Sequence, residues 1–382
     1  MTACSWPMWS PNGFPIMPQP GRALRVSVEQ PLSPEPGLHR QEVESMDLDA
    51  IIHADDIRKL ATLSRAADGA GFHTLWVSET SHDSLIQASV VIQHTERSVV
   101  GTGITVAFAR SPTALAYAAW DLQALSGGRF VLGLGSQVKG HIERRFGMKW
   151  ESPIAKMKET IEAIRAVWSC WQYGEPLRYE GKFYRISLMT PFFDPGPIER
   201  PEIPIYLAGV NKAMVKLAGL LCQGLMVHPF HSLKYLKEVV LPSLKKGLES
   251  AGRSREDVDV TVPAFAAVGK DREEIERAKE QLRSQIAFYA STRTYRGVLE
   301  ASGLGDLSES LHELSLKGKW REMQNLVTDE VFTEFALEGE PDEVAREIKR
   351  RYDGMADSVM LYSPYDPSAK WWEEFITCFA GY

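Results

Sequence analysis

The sequence predicts an α/β protein folded as a (β/α)₈ barrel. Three observations lead there. Short apolar runs, with too little polar alternation for a half-exposed sheet, recur along the chain and are separated by segments of helical periodicity. The joints between them are short, as in a parallel sheet wrapped by helices. Eight such strand-helix units can be counted, which argues for a barrel, and ligands then belong at the carboxyl ends of its strands.

In order, Leu24–Glu29 alternates at period two and reads as strand one, followed by a proline-containing loop and a helix over Asp55–Ala70 that Gly71 ends. Thr74–Val77 is strand two, closing on Ser78-Glu79-Thr80, with a helix over Ser84–His94 behind it. Ser98–Val106 is strand three, interrupted by Gly101 and Gly103, and Pro112 opens the next helix. Strand four is the run ending Gly133-Leu134-Gly135-Ser136-Gln137. A long helix over Pro153–Tyr173, a hairpin around Tyr179–Tyr184 and a proline-rich loop to Pro204 form an excursion after it. The alternation resumes with strand five (Ile205–Val210), strand six (Gly224–His228) and strand seven (Val258–Val268), each followed by a helix. Residues 291–327 read as an irregular polar insertion, and Ser358–Tyr362 is strand eight. Residues 1–23 form a separate tail, either flexible or docked through Trp6 and Trp9, and 24–382 form the barrel domain.

The 382 residues suffice for two ordinary domains or one large barrel, and 44% hydrophobic and 24% charged residues describe a soluble globular chain. A net charge of −7 argues against nucleic acid, and no apolar run has the length of a membrane span. Cys4, Cys170, Cys222 and Cys378 lie too far apart in sequence for a Cys-x-x-Cys metal or redox pair, which fits a reducing, cytoplasmic home.

The strand ends then carry the functional reading. They supply Glu79, Thr80, His82 and Asp83 after strand two, and Gly103-Ile104-Thr105 in strand three. Strand four adds Gly135-Ser136-Gln137 with Lys139 and His141 beyond, strand five Ala208-Gly209-Val210-Asn211, and strand six His228. Glycine-rich backbone, small hydroxyls, one carboxylate and scattered histidines suit a planar, phosphate-bearing cofactor held by backbone N–H groups and helix N-termini. No cluster has metal-ligand spacing, so no metal is expected. Gly133 and Gly135 serve either barrel packing or close approach of a ligand, Arg129 at the amino end of its strand reads as structural, and His228 and His231 flank Pro229 at the mouth. Glu79 reads either as a rim carboxylate paired with an arginine or as a site residue.

These residues resemble the luciferase-like monooxygenase superfamily. The likeness lies in Gly71-Phe72 with Trp76-Val77-Ser78-Glu79, Gly101-Thr102-Gly103-Ile104, Ser126-Gly127-Gly128-Arg129 through Gly135, and Leu207-Ala208-Gly209. Residues 188–197, 227–231 and 290–295 are similar to the branch that uses the deazaflavin coenzyme F420. That resemblance implies the TIM barrel, a flavin-like cofactor at the strand ends, hydride transfer at its C5 and a homodimer. Carried over, Glu79 lies beside the ring; Gly103 and Ile104 form a bulge beneath it that contains a non-prolyl cis peptide; Ser136, Gln137 and His141 stand near the ring and its side chain. Gly135 is their neighbour, and Ala208-Gly209-Val210 cradle the side chain and phosphate. Sugar-phosphate dehydrogenases of the branch carry a His after the strand-two acid and a Glu past strand four; Thr80 and Val138 stand here instead, which argues against that substrate and gives the acid/base role to Glu79 and His82.

The expected function is hydride transfer between coenzyme F420 and a small organic substrate. An FMN-dependent monooxygenase on the same fold is the alternative, and a non-catalytic cofactor-binding barrel is the third reading.

Overall fold

The computed structural model describes residues 46–362 and 371–382. Eight parallel strands close on themselves: β1 (Asp47–Ile52), β2 (Thr74–Val77), β3 (Val99–Thr102), β4 (Phe130–Gly135), β5 (Ile205–Gly209), β6 (Gly224–Val227), β7 (Asp259–Val268) and β8 (Ser358–Tyr362). Each pairs with the next, and β8 pairs back to β1 through Asp47 opposite Ser358 and Ala50 opposite Leu361. The expected barrel is therefore present.

Its interior is built by the period-two pleat. Trp76, Val131, Tyr206, Met226 and Met360 form one buried layer within the barrel. Two glycines make that layer possible. A Cβ on Gly101 would stand 2.3 Å from the Trp76 ring, and one on Gly224 would stand 2.3 Å from the Tyr206 ring, so each large aromatic fills the space its neighbouring strand leaves open. Two residues further along the same strands come Ser78, Gly103, Ala208, His228 and Tyr362, which line the mouth of the barrel. Arg129 is structural: it donates to the carbonyls of Thr95, Ser98 and Ser126 at the opposite end.

Three sequence expectations change. The strand expected at Leu24–Glu29 lies outside the described residues, and strand one of the closed barrel is Asp47–Ile52. Its Asp49 is buried and accepts from the Thr74 amide, Trp76 Nε1 and Ser358 Oγ, so a carboxylate that reads as a loop residue is a cross-strand tie. The stretch expected to be irregular, 291–327, is helical over Arg296–Ala301, Gly305–Leu316 and Trp320–Asn325. A further parallel strand, Ala336–Gly339, pairs with the carboxyl half of β7. The hairpin of the excursion is present as Tyr179–Glu180 paired with Arg185–Ile186, following the helix Pro153–Tyr173. Among the described residues, no helix is long and apolar enough to cross a membrane.

Candidate active site at the barrel mouth

The carboxyl ends of the strands enclose a cavity of about 300 Å³. One side is made by Gly103 and Ile104 from β3, Gly135 through Val138 from β4, and Ala208 through Asn211 from β5. The other is made by His228 and Pro229 after β6, Pro263 in β7, Tyr289, Tyr295 and Tyr362.

The first side is rich in glycine and small residues. The Gly103–Ile104 peptide is cis, as the resemblance implies. Ser78 Oγ donates to the Gly103 carbonyl at 2.8 Å and the Glu79 amide to the Ile104 carbonyl, which pins this bulge to the end of β2. Gly135 accommodates the bulge, since a Cβ there would meet the Ile104 side chain at 2.7 Å. Gly133 serves packing alone: its amide and carbonyl both engage Thr102 Oγ1, and it does not line the cavity. Gln137 adopts a left-handed backbone (φ 58°), and its own side-chain oxygen accepts from the Val138 amide. Asn211 caps the helix Lys212–Leu221 through the Met214 amide, so a helix N-terminus opens beside Ala208-Gly209-Val210.

Glu79 lines the cavity, yet its Oε2 is engaged away from it. The pleat that turns Trp76 and Ser78 inward turns Glu79 toward residues 105–110. There the Val106 amide donates at 2.8 Å, Arg110 Nη1 at 2.8 Å and Ser84 Oγ at 3.3 Å. Arg110 also pairs with Asp83. Burial works against the guanidinium charge, but Asp83 and Glu79 together hold its pKa above the usual value. Glu79 is thus both of the things its sequence position suggested, an arginine-paired carboxylate and a lining residue.

Two expected site residues are not brought in. His82 does not line the cavity; its Nε2 lies 3.1 Å from the Asp55 carbonyl. His141 sits exposed on the short helix Lys139–Arg144, outside the lining. A residue just past a strand end can turn toward the mouth or away from it, and both turn away. The remaining expected residues, Gly103, Ile104, Gly135, Ser136, Gln137, Ala208, Gly209 and Val210, all line the cavity.

Sequence reasoning placed His228 at the mouth but missed the tyrosines that make an aromatic wall with it. The His228 ring stacks on Tyr295 (4.4 Å between centroids, 29°) and meets Tyr289 edge-on (4.9 Å, 90°). Burial and the neighbouring His231 push the His228 pKa down to about 3, so the ring is neutral. The Phe230 amide donates to its Nδ1, which leaves the ring proton on Nε2. Beneath it, His231 donates from Nδ1 to the His228 carbonyl, and its Nε2 accepts from the buried Tyr352 hydroxyl. Burial pushes the His231 pKa down to about 4. Its unfolded pKa is near 6.5, so between these values the unfolded chain binds the proton and the native chain does not. Stability is full above pH 6.5 and falls with pH through this window. His231 alone is expected to cost about 2 kcal/mol between pH 7 and pH 5. Urea unfolding of wild type and His231→Gln at both pH values checks it: the acid loss should shrink in the variant.

Comparison with known proteins is consistent with this geometry. Residues 35–358 match the family of luciferase-like monooxygenases. The chain belongs to that family. An uncharacterized protein of Mycobacterium tuberculosis is 42% identical over 304 residues, covering 78% of this chain and 89% of its own. The 5,10-methylenetetrahydromethanopterin reductase of Archaeoglobus fulgidus is 29% identical over 313 residues, covering 80% and 90%. The coenzyme F420 dependent tetrahydromethanopterin reductase of Methanopyrus kandleri has the same fold, with a TM-score of 0.72 at 24% identity over 88% of this chain and 97% of that one. Luciferase-like proteins are enzymes of oxidoreductase and monooxygenase type, and the family includes users of F420 and of FMN.

Proposed function

We propose that this luciferase-like barrel is an oxidoreductase that transfers a hydride between the deazaflavin coenzyme F420 and a small organic substrate. The observation that carries the reading is the glycine-rich side of the cavity at the strand ends, taken with the F420-dependent reductases among its relatives.

The residues present fit such a cofactor. Gly103-Ile104 and Gly135 leave a shelf for a planar ring, and Gly209 is packed closely on the helix Lys212–Leu221, where a Cβ would stand 3.0 Å from Val215 Cγ2. Ser136 and Gln137 offer hydroxyl and amide groups. A phosphate would sit at the N-terminus of Lys212–Leu221, where first-turn amides lack helical partners. When bound, the deazaflavin supplies a hydride-carrying C5 without the oxygen chemistry of a flavin. The chain's own part is to orient the ring on the bulge, keep the substrate against it and exclude water through the aromatic wall. Glu79, fixed by Arg110, braces the bulge from behind.

Fluorescence titration with coenzyme F420 and with FMN, side by side, tests the proposal. F420 is expected to bind at least tenfold tighter. Preferential FMN binding with oxygen consumption in the presence of a flavin reductase would replace it with the monooxygenase alternative.

A further inference from the structure

The aromatic wall has a chemistry of its own, separate from the glycine-rich shelf. Four rings, His228, Tyr289, Tyr295 and Tyr362, face the cavity from the β6–β8 half of the barrel. They are braced from behind: Phe265 packs edge-on against Tyr362 at 5.1 Å, Phe230 stacks on Tyr289 at 6.2 Å, and Gln285 Nε2 donates to the Tyr362 hydroxyl at 2.8 Å. Rings so fixed present a rigid apolar surface at little entropic cost.

Charge is missing from this surface. Among the described residues lining the cavity there is no lysine and no arginine, and the lining carboxylate, Glu79, is paired with Arg110. An anionic substrate would find no cation to replace its water, and a cationic one would find a carboxylate already neutralised.

Two polar groups on the wall are unspent among the described residues, the Tyr295 hydroxyl and Nε2 of His228, and of these only the histidine's hydrogen is fixed in place. The Phe230 amide occupies Nδ1 of His228, and among the described residues no protein acceptor meets Nε2. The ring therefore offers a single N–H donor of fixed tautomer. A neutral imidazole held this way polarises a carbonyl without giving up its proton.

We infer that the wall is the substrate side of the cavity and takes a planar, uncharged ligand whose carbonyl-type oxygen accepts from Nε2–H of His228. The inference rests on the proposed function for which side the cofactor occupies. In that reaction the hydride goes to the carbon of the polarised group. The oxygen takes up the charge, is held by Nε2–H and takes its proton from solvent as the product leaves the wall, and the cofactor leaves oxidised by two electrons. His228 stays neutral throughout.

Three probes separate the terms: coumarin, which is planar and neutral with a carbonyl; coumarin-3-carboxylate, the same ring with a charge; and naphthalene, a similar shape with no acceptor. Binding to the full chain is measured by calorimetry, with and without whichever of F420 or FMN the titration above shows to bind. Wild type should bind coumarin roughly five- to tenfold tighter than naphthalene, the worth of one hydrogen bond, and at least tenfold tighter than the carboxylate. His228→Phe should keep naphthalene binding and erase the preference for coumarin, whereas His228→Gln, which retains an N–H donor, should keep much of it. Equal affinities for coumarin and naphthalene, a preference that survives in His228→Phe, or tighter binding of the carboxylate would each overturn the inference. So would displacement of coumarin by the bound cofactor, which would place the probe on the shelf instead. If neither cofactor binds, the proposed function fails while probe binding remains readable, so the two failures are distinct.

Discussion

Gly133→Ala is expected to abolish the native barrel, yielding insoluble protein or a loss of stability above about 3 kcal/mol, the upper range for overpacking. The reason is local and steric. A Cβ at this position would stand 1.8 Å from the Thr102 carbonyl oxygen, which is backbone of the neighbouring strand. Neither strand can yield: β3 is held by β2 on its other side and β4 by β5. The same Thr102 also ties the two strands through its hydroxyl, at 2.8 Å to the Gly133 carbonyl and 2.9 Å from its amide. Two companion substitutions give the result its meaning. Gly135→Ala meets the Ile104 side chain, Cδ1 and Cγ1 both at 2.7 Å, rather than backbone, so the barrel should fold with a disturbed shelf and weakened cofactor binding. Gly69→Ala, in the helix Leu60–Ala70 with nothing within 4 Å of the added methyl, should stabilise by about 0.5–1 kcal/mol through helix propensity. Thermal and urea unfolding of the three variants reads the series. A folded Gly133→Ala with wild-type stability would show that the barrel can open at β3–β4, and the steric account would be wrong.

How far the molecule was legible in its sequence depends on where each decision is made. Strands two, four, five and six are apolar runs buried on both faces, and such runs declare themselves. Strand one does not, because Asp47-Leu48-Asp49 looks like a loop until Trp76 and Ser358 are known to donate to Asp49. The helices between 296 and 325 are short and largely exposed; their apolar residues Val298, Leu299, Leu311 and Met323 find partners only in the folded protein. At the site, the glycine shelf was legible because close backbone approach leaves glycines in the sequence. Direction was not: His82 and His141 follow strand ends just as Ser136 does, yet they turn out and Ser136 turns in. The aromatic wall draws Tyr289 from a helix and Tyr295 from the turn after it, both outside the strand-end rule, although the stretch 290–295 had already stood out by its resemblance.

Removing the cation at the centre of the Glu79 network should have the second largest effect. Arg110→Met is expected to cost about 3–5 kcal/mol, the usual penalty for leaving a buried charge without its partner. Glu79 qualifies because its side chain is only 6% exposed, while Asp83, the other partner at 37%, keeps its helix-cap bonds to the Leu85 and Ile86 amides, is already open to solvent and contributes little. The consequence reaches the cavity through two short links. The Val106 amide donates to Glu79 Oε2, and the Glu79 amide donates to the carbonyl of Ile104, so the brace and the bulge are one hydrogen-bonded unit. A loosened Glu79 therefore loosens Gly103–Ile104, and cofactor affinity should fall together with stability. The double variant Glu79→Gln/Arg110→Met separates burial from charge: with the carboxylate replaced by a neutral amide, at least half of the lost stability should return. Urea unfolding gives the energies and cofactor titration the affinities. An Arg110→Met protein as stable as wild type would mean that water reaches Glu79 and the pair is ornamental. A double variant no more stable than the single one would assign the loss to the packing of the arginine stem rather than to its charge.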